Sequence, residues 1–337
     1  MLIKENVSLQ DLHTFGIAVK AKFLVEIQSE ADLLAIISDR PNTPFLLLGG
    51  GSNVIFTEDY EGTILKMEID GKEVVKKEGE TVTLKIGAGE NWHQLVLWCL
   101  AQNYGGIENL SLIPGTVGAA PIQNIGAYGV ELEQIFEALD AINLKTGEKI
   151  RLNKEACAFG YRDSVFKRQL KGQFAITYVY LKLRCKNHQL TTSYGAIQKT
   201  LEKEHTSYPN IKAISDAVIG IRQSKLPDPR VLGNAGSFFK NPIIPKSTFD
   251  RLKTRFPNMI AYPQDEKVKV PAGWLIEQCG WKGKRVGNIG CYEKQALVIV
   301  NYGGATGTEL KSLIKAIIES VDEKFGIRLT PEVNLIG

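Results

Sequence analysis

The chain has 337 residues, 44% of them hydrophobic and 23% charged, which excludes a disordered tail and gives enough length for two or three packed domains without staples. Its 41 basic and 37 acidic residues leave a net charge of +4, scattered along the chain, so there is no footprint for nucleic acid or an anionic membrane, while anionic small molecules remain suitable partners. Five widely spaced cysteines, Cys99, Cys157, Cys185, Cys279 and Cys291, form no CxxC pair, which argues against a metal site, a redox dithiol or a secreted disulfide framework.

The first residues carry no leader pattern and no apolar run approaches a membrane span, so a cytoplasmic protein is expected. Punctuation by Gly and Pro divides the chain into residues 1–62, 63–220 and 221–337. In the first region an apolar segment at 22–27 precedes a helix capped by Ser29, with Asp32 three residues later, and then a strand at 44–48. That strand delivers Gly49, Gly50, Gly51, Ser52 and Asn53. Three side-chain-free residues let backbone N–H groups approach a diphosphate, and Ser52 and Asn53 add donors. The loop is neither a GxGxxG fingerprint nor a P-loop, because the strand-like Val54, Ile55 and Phe56 follow. Taken alone, such a pattern is more often an ordinary turn than a ligand site.

The second region alternates short β-like runs, such as 81–86, with one amphipathic helix near 92–102 and a Gly-rich stretch at 113–129. A loop of that length in a compact domain is usually functional. Its small residues suit close approach to a planar ligand, and Gln123 and Asn124 offer donors and acceptors to a polar ring edge. A tightly packed structural loop is the alternative. At 159–164 Arg162 lies beside Gly160 and Tyr161, where its guanidinium suits a carboxylate or a developing enolate, or makes only a salt bridge with Asp163.

The third region opens with Pro227, Asp228 and Pro229 and reads as a separate α+β unit with a buried strand at 296–300 and a closing helix at 308–325. Within it, Ser237 follows a glycine turn and precedes two phenylalanines, which makes it a proton donor, a binding group or a plain turn serine. There is no GxSxG elbow. Glu332 sits in a PEV sequence close to the C-terminus. Trp92, Trp98, Trp274 and Trp281 read as core or domain-contact residues.

Taken together, Thr14-Phe15-Gly16, GGGSN, IPGTVGAAPIQNIGAYG, FGYRDS, KLPDP, GNAGSFFKNP, AGWLIEQCG and the terminal PEV, in this order, resemble the UDP-N-acetylenolpyruvoylglucosamine reductase (UDP-N-acetylmuramate dehydrogenase) family over nearly the whole chain. The resemblance implies an α+β architecture: an FAD-binding fold of the vanillyl-alcohol oxidase and p-cresol methylhydroxylase type plus a C-terminal α+β substrate domain. Residues 1–62 and 63–220 would be the two FAD-binding subdomains and 221–337 the substrate domain. It implies FAD held by Gly49, Gly50, Gly51, Ser52 and Asn53, and by Pro114, Gly115, Thr116, Gly118, Ala119, Gln123, Asn124 and Gly126. NADPH would be the co-substrate and a UDP-sugar enolpyruvyl ether the substrate, in cell-wall precursor synthesis, with the protein a monomer.

The family's catalytic groups fall on Arg162, Ser237 and Glu332, with Ser237 as proton donor and the hydride delivered from flavin N5. Its substrate contacts fall on Tyr161, Tyr194, Lys225, Asn241, Tyr262 and Gln295, and Tyr194 marks the class that keeps a tyrosine-bearing loop. His13 departs from the Asn of many members, Gly50 from an acidic residue, and Ala119 and Ala120 from hydroxyl residues. Two competing readings differ in class: an oxygen-using oxidase on the same fold, and a non-catalytic nucleotide-sugar binding module.

Overall fold

The computed structural model describes residues 2–39, 44–203 and 209–337. They divide into two compact units of interleaved segments, Met1–Val7, Ala21–Gly50 and Glu61–Gln223 in one, Ser8–Lys20, Gly51–Tyr60 and Ser224–Gly337 in the other. Residues 1–62 are thus shared between the two, and the polypeptide passes from one to the other inside the Gly49–Asn53 loop.

The first unit is built on a five-stranded antiparallel sheet in the order Lys149–Asn153, Phe136–Asn143, Phe174–Arg184, Thr81–Gly87, Lys72–Glu78. Alternation explains its inner face: Val82, Leu84 and Ile86 point to a core shared with Leu139, Val179, Leu181 and the helix Trp92–Ala101. Trp92, 1% exposed, anchors that helix, and losing such an indole costs ~3–5 kcal/mol in comparable cores. A four-stranded sheet, Ile3–Ser8, Lys20–Ile27, Tyr60–Met67, Phe45–Leu48, carries the strand leading into Gly49. The helix Glu30–Asp39 starts as expected, Ser29 Oγ accepting from Asp32 N at 3.1 Å and Asp32 accepting from Gln28 N at 3.2 Å.

The expectation of one amphipathic helix in 63–220 is corrected. Besides the single turn Lys154–Cys157, two longer helices, Gly195–Lys203 and Ile211–Lys225, pack Ile197 and Leu201 against Ile214, Ala217, Val218 and Ile221. Their apolar residues recur at helical spacing, but β-branched residues and Gly220 weaken the local helix signal, and the stripe becomes stable only when the two helices cover each other. The strand Lys72–Glu78 was equally hard to read, because its exposed charged residues occupy a sheet edge and do not alternate.

In the second unit a four-stranded sheet orders Gly233–Ser237, Val298–Asn301, Ile289–Cys291 and Arg285–Val286. The closing helix Gly307–Phe325 begins with a capping box between Thr306 and Glu309 and ends at Gly326, φ 66°. Asn334–Ile336 pairs in parallel with Val54–Phe56, so the last strand starts beside the end of the glycine loop within this unit. Among the described residues no helix is long and apolar enough to cross a membrane.

Candidate active site

In the first unit the Gly-rich run is pinned from below. Asn91 caps the helix Trp92–Ala101, Trp92 Nε1 donates to Leu110 O and Trp92 N to Gly115 O, both at 3.0 Å. Val117 N and Gly118 N donate at 2.9 Å to Glu90 O and Ala88 O. The glycine loop packs on this run backbone to backbone: a Cβ on Gly50 would lie 2.7 Å from Gly115 Cα, and one on Gly49 would collide with Thr116 Oγ1.

Further along, Asn124 adopts φ 43° and is fully buried. Its amide donates to Glu131 at 3.1 Å and to Gly160 O at 3.2 Å and accepts from Glu133 N at 3.0 Å. The Asn124 side chain, read from sequence as a ligand for a ring edge, is therefore committed to holding the loop's own shape. Arg162 sits on the short turn closed by mutual Gly160–Asp163 backbone bonds of 3.0 and 3.1 Å, at φ 52°. Its Nη2 donates to Gly126 O at 2.6 Å, and its guanidinium lies 5.6 Å from the Tyr161 ring. Tyr128 and Tyr194 meet edge to face, centroids 5.3 Å apart.

The second unit brings another three motifs together. Gly51 has φ 64°, a Cβ there would strike Leu12 O, and Thr14 N donates to Gly51 O at 3.0 Å. Asn53 Nδ2 donates to Glu332 O at 3.4 Å and Asn334 N to Asn53 O at 3.0 Å. Glu332 N donates to Phe238 O at 2.8 Å, Lys240 N to Thr330 O at 3.0 Å, and Phe239 bridges Pro331. Ser237, next to Phe238, is thereby a neighbour of Glu332 although they are far apart in sequence. Ser237 is exposed, after Gly236 at φ 69°, where the strand register shifts, and its hydroxyl has no partner among the described residues. Of the remaining positions, Asn241 Oδ1 accepts from Ala272 N at 2.9 Å at the start of a helix, Gln295 Oε1 accepts from Leu297 N at 3.4 Å, and Lys225 and Tyr262 are exposed.

Residues 228–336 match the family model described as UDP-N-acetylenolpyruvoylglucosamine reductase, C-terminal domain, and residues 21–153 match that described as FAD binding domain. The whole chain is 49% identical to the UDP-N-acetylenolpyruvoylglucosamine reductase of Flavobacterium johnsoniae, with 100% of both covered, and 51% identical to that of Amoebophilus asiaticus, again over all of both. The chain belongs to the UDP-N-acetylenolpyruvoylglucosamine reductase family. A crystal structure of such a reductase from Thermus caldophilus covers all of both chains at TM-score 0.69 and 23% identity, which shows the same fold.

As a UDP-N-acetylenolpyruvoylglucosamine reductase family member the chain is an NADP-dependent oxidoreductase of the expected α+β class, with FAD as its cofactor. The residues present fit that group. Among the described residues of the first unit the N–H groups of Gly50, Gly115 and Thr116 donate to no protein acceptor, the kind of donor a diphosphate requires. Lys66, not singled out from sequence, adds a cation here: its Nζ donates to Gly49 O at 2.8 Å, and burial pulls its pKa down. An isolated Lys in a strand carries no sequence signal for this.

Arg222 is the other group sequence reasoning missed. It lies on the helix Ile211–Lys225, bonds Leu112 O through Nε at 3.2 Å and the Tyr128 side chain, and has no carboxylate partner among the described residues. Burial lowers its pKa, the nearby Arg162 charge lowers it too, and Tyr128 opposes both. Two neighbouring guanidinium groups, one of them half-buried with no carboxylate partner among the described residues, favour an anion beside them. Arg222 faces inward on a helix whose pattern was itself unread, which is why it escaped notice.

Proposed function

We propose that the protein reduces UDP-N-acetylglucosamine enolpyruvate to UDP-N-acetylmuramate in peptidoglycan precursor synthesis, taking its reducing equivalents from NADPH. Residues 1–62 and 63–220 serve FAD and residues 221–337 the nucleotide sugar, a division supported by the extents of the two family matches, 21–153 and 228–336. When bound, FAD carries a hydride from NADPH through its N5 to the terminal methylene carbon of the enolpyruvyl group. The π electron pair moves onto the adjacent carbon and into the carboxylate as an enolate. Arg162 and a protonated Glu332 stabilise the developing charge, and Arg222 adds a second cation beside Arg162. Ser237 gives its hydroxyl proton to the carbon bearing the ether oxygen, completing the lactyl ether. The pairing of 238–240 with 330–332, which brings the segment carrying Ser237 beside the one carrying Glu332 while the Ser237 hydroxyl has no partner among the described residues, is the observation that supports this reading most. Tyr161, Tyr194, Lys225, Asn241, Tyr262 and Gln295 hold the substrate in this reading.

The roles separate by half-reaction. In Ser237→Ala, NADPH should bleach the flavin at the wild-type rate, while re-oxidation by the enolpyruvyl substrate slows by ~10²–10⁴-fold, the range of a general acid. Stopped-flow absorbance follows both, and equal slowing in both halves would remove Ser237 from the proton-transfer step.

A further inference from the structure

Asn109 is 1% exposed and lies in the fully buried turn Glu108–Leu110. The turn is tied to the core: Leu110 O receives the Trp92 indole N–H, Ser111 Oγ donates to Glu108 O at 2.7 Å, and the Glu108 carboxylate accepts from Gly106 N at 2.6 Å. From this fixed point the Asn109 amide uses both hydrogens on backbone carbonyls of distant segments, Tyr128 O at 3.1 Å and Thr191 O at 2.9 Å. Tyr128 stands at φ 51°, and Gly129, φ 85°, leaves room for Thr191, whose Cγ2 would lie 3.5 Å from an added Cβ. The rings of Tyr128 and Tyr194 then meet at 86°, and Arg222 fixes the Tyr128 hydroxyl. A buried amide with two donors on two carbonyls is a geometric clamp, and removing it leaves both carbonyls to find new partners.

We infer that Asn109 is a positioning residue: through Thr191 O and Tyr128 O it sets where Tyr194 stands, and so sets affinity for the enolpyruvyl nucleotide sugar without touching it. This rests on the reading of Tyr194 as a substrate contact. Asn109→Asp keeps the volume and replaces the donors with oxygen facing the carbonyls, and Asn109→Ala removes them without adding charge.

The test is steady-state and stopped-flow kinetics on FAD-loaded Asn109→Asp, Asn109→Ala, Tyr194→Ala and the double variant Asn109→Ala with Tyr194→Ala. The expected result is a rise of about tenfold in KM for the enolpyruvyl substrate in each single variant, equivalent to ~1.4 kcal/mol. FAD content and the bleaching rate at saturating NADPH stay at wild-type values, and Asn109→Ala adds less than about twofold in the Tyr194→Ala background. An unchanged KM in both Asn109 variants, with Tyr194→Ala impaired, overturns the positioning role and leaves the Tyr194 reading intact. Full additivity in the double variant also overturns it, as does loss of FAD or of NADPH bleaching along with KM, which places Asn109 in the general fold. An unchanged KM in Tyr194→Ala overturns the Tyr194 reading itself and the inference with it.

Discussion

At Arg162 the backbone has φ 52°, a conformation glycine takes freely and other L-residues adopt at a cost of ~1–2 kcal/mol. A side chain retained at such a position points to a use for the guanidinium. Arg162→Gly and Arg162→Ala both remove that group, so both should lose turnover by two orders of magnitude or more. They should differ in stability: chemical denaturation should find the Gly variant more stable than the Ala variant by about 1 kcal/mol. Equal stabilities would mean that the turn relaxes and stores no strain. The motif drew attention to Arg162 because Gly160 and Tyr161 precede it. Arg222 and Asn109 could not be found in that way, since their importance lies in which distant groups they meet.

His13 carries a pH effect on the same scale. It is 3% exposed, its Nε2 lies 3.2 Å from Ile17 O, and its ring stands edge to face with Phe56 at 5.6 Å. Burial lowers its pKa below 6.5, opposed by the Ile17 bond. Above pH 6.5 neither the folded nor the unfolded chain binds this proton. As pH falls through 6.5 the unfolded chain takes it up first, so stability is lost in that window and the loss levels off below the folded pKa. His13→Asn should therefore lose less thermal stability than wild type on going from above pH 6.5 to about one unit below it, and parallel curves would show that His13 takes no part.

At the scale of elements, the glycine loop and the Gly-rich run form one mechanical piece, because neither tolerates a side chain where they pack. Gly50→Ala puts a Cβ 2.7 Å from Gly115 Cα, and backbone must shift, at ~1–3 kcal/mol for overpacking of this kind. The displaced N–H groups should weaken FAD binding about tenfold or more, read as the Kd from quenching of free flavin fluorescence, with the apoprotein still folded. An unchanged Kd would detach this packing from cofactor binding. The strand into Gly49, the helix after Asn91 and the closing helix were legible because period and caps agree locally. The helices Gly195–Lys203 and Ile211–Lys225 were not, because their stability comes from each other. Asn124 shows the reverse limit: its residue type suggested a ligand contact, while its three internal bonds build the loop.

For the whole molecule, sequence order is a poor guide to packing. Residues 8–20 and 51–60 join 224–337 in one unit, so Thr14, Gly51, Asn53, Ser237 and Glu332 share a unit although they span most of the chain. Punctuation by Gly and Pro saw only consecutive blocks and so set Gly51 and Asn53 apart from Ser237 and Glu332, because no local signal links segments that only packing joins. The net charge of +4, with Lys66, Arg162 and Arg222 at or near the two loops, matches an anionic cofactor and an anionic substrate. In the proposed function, reducing equivalents pass from NADPH to an enolpyruvyl nucleotide sugar on this protein. The most direct test of this is the visible spectrum of FAD-loaded protein titrated without air, first with NADPH and then with that sugar. Bleaching by the first and full recovery of the flavin spectrum by the second are expected, whereas recovery only on admitting oxygen, or no bleaching at all, would contradict the proposed function.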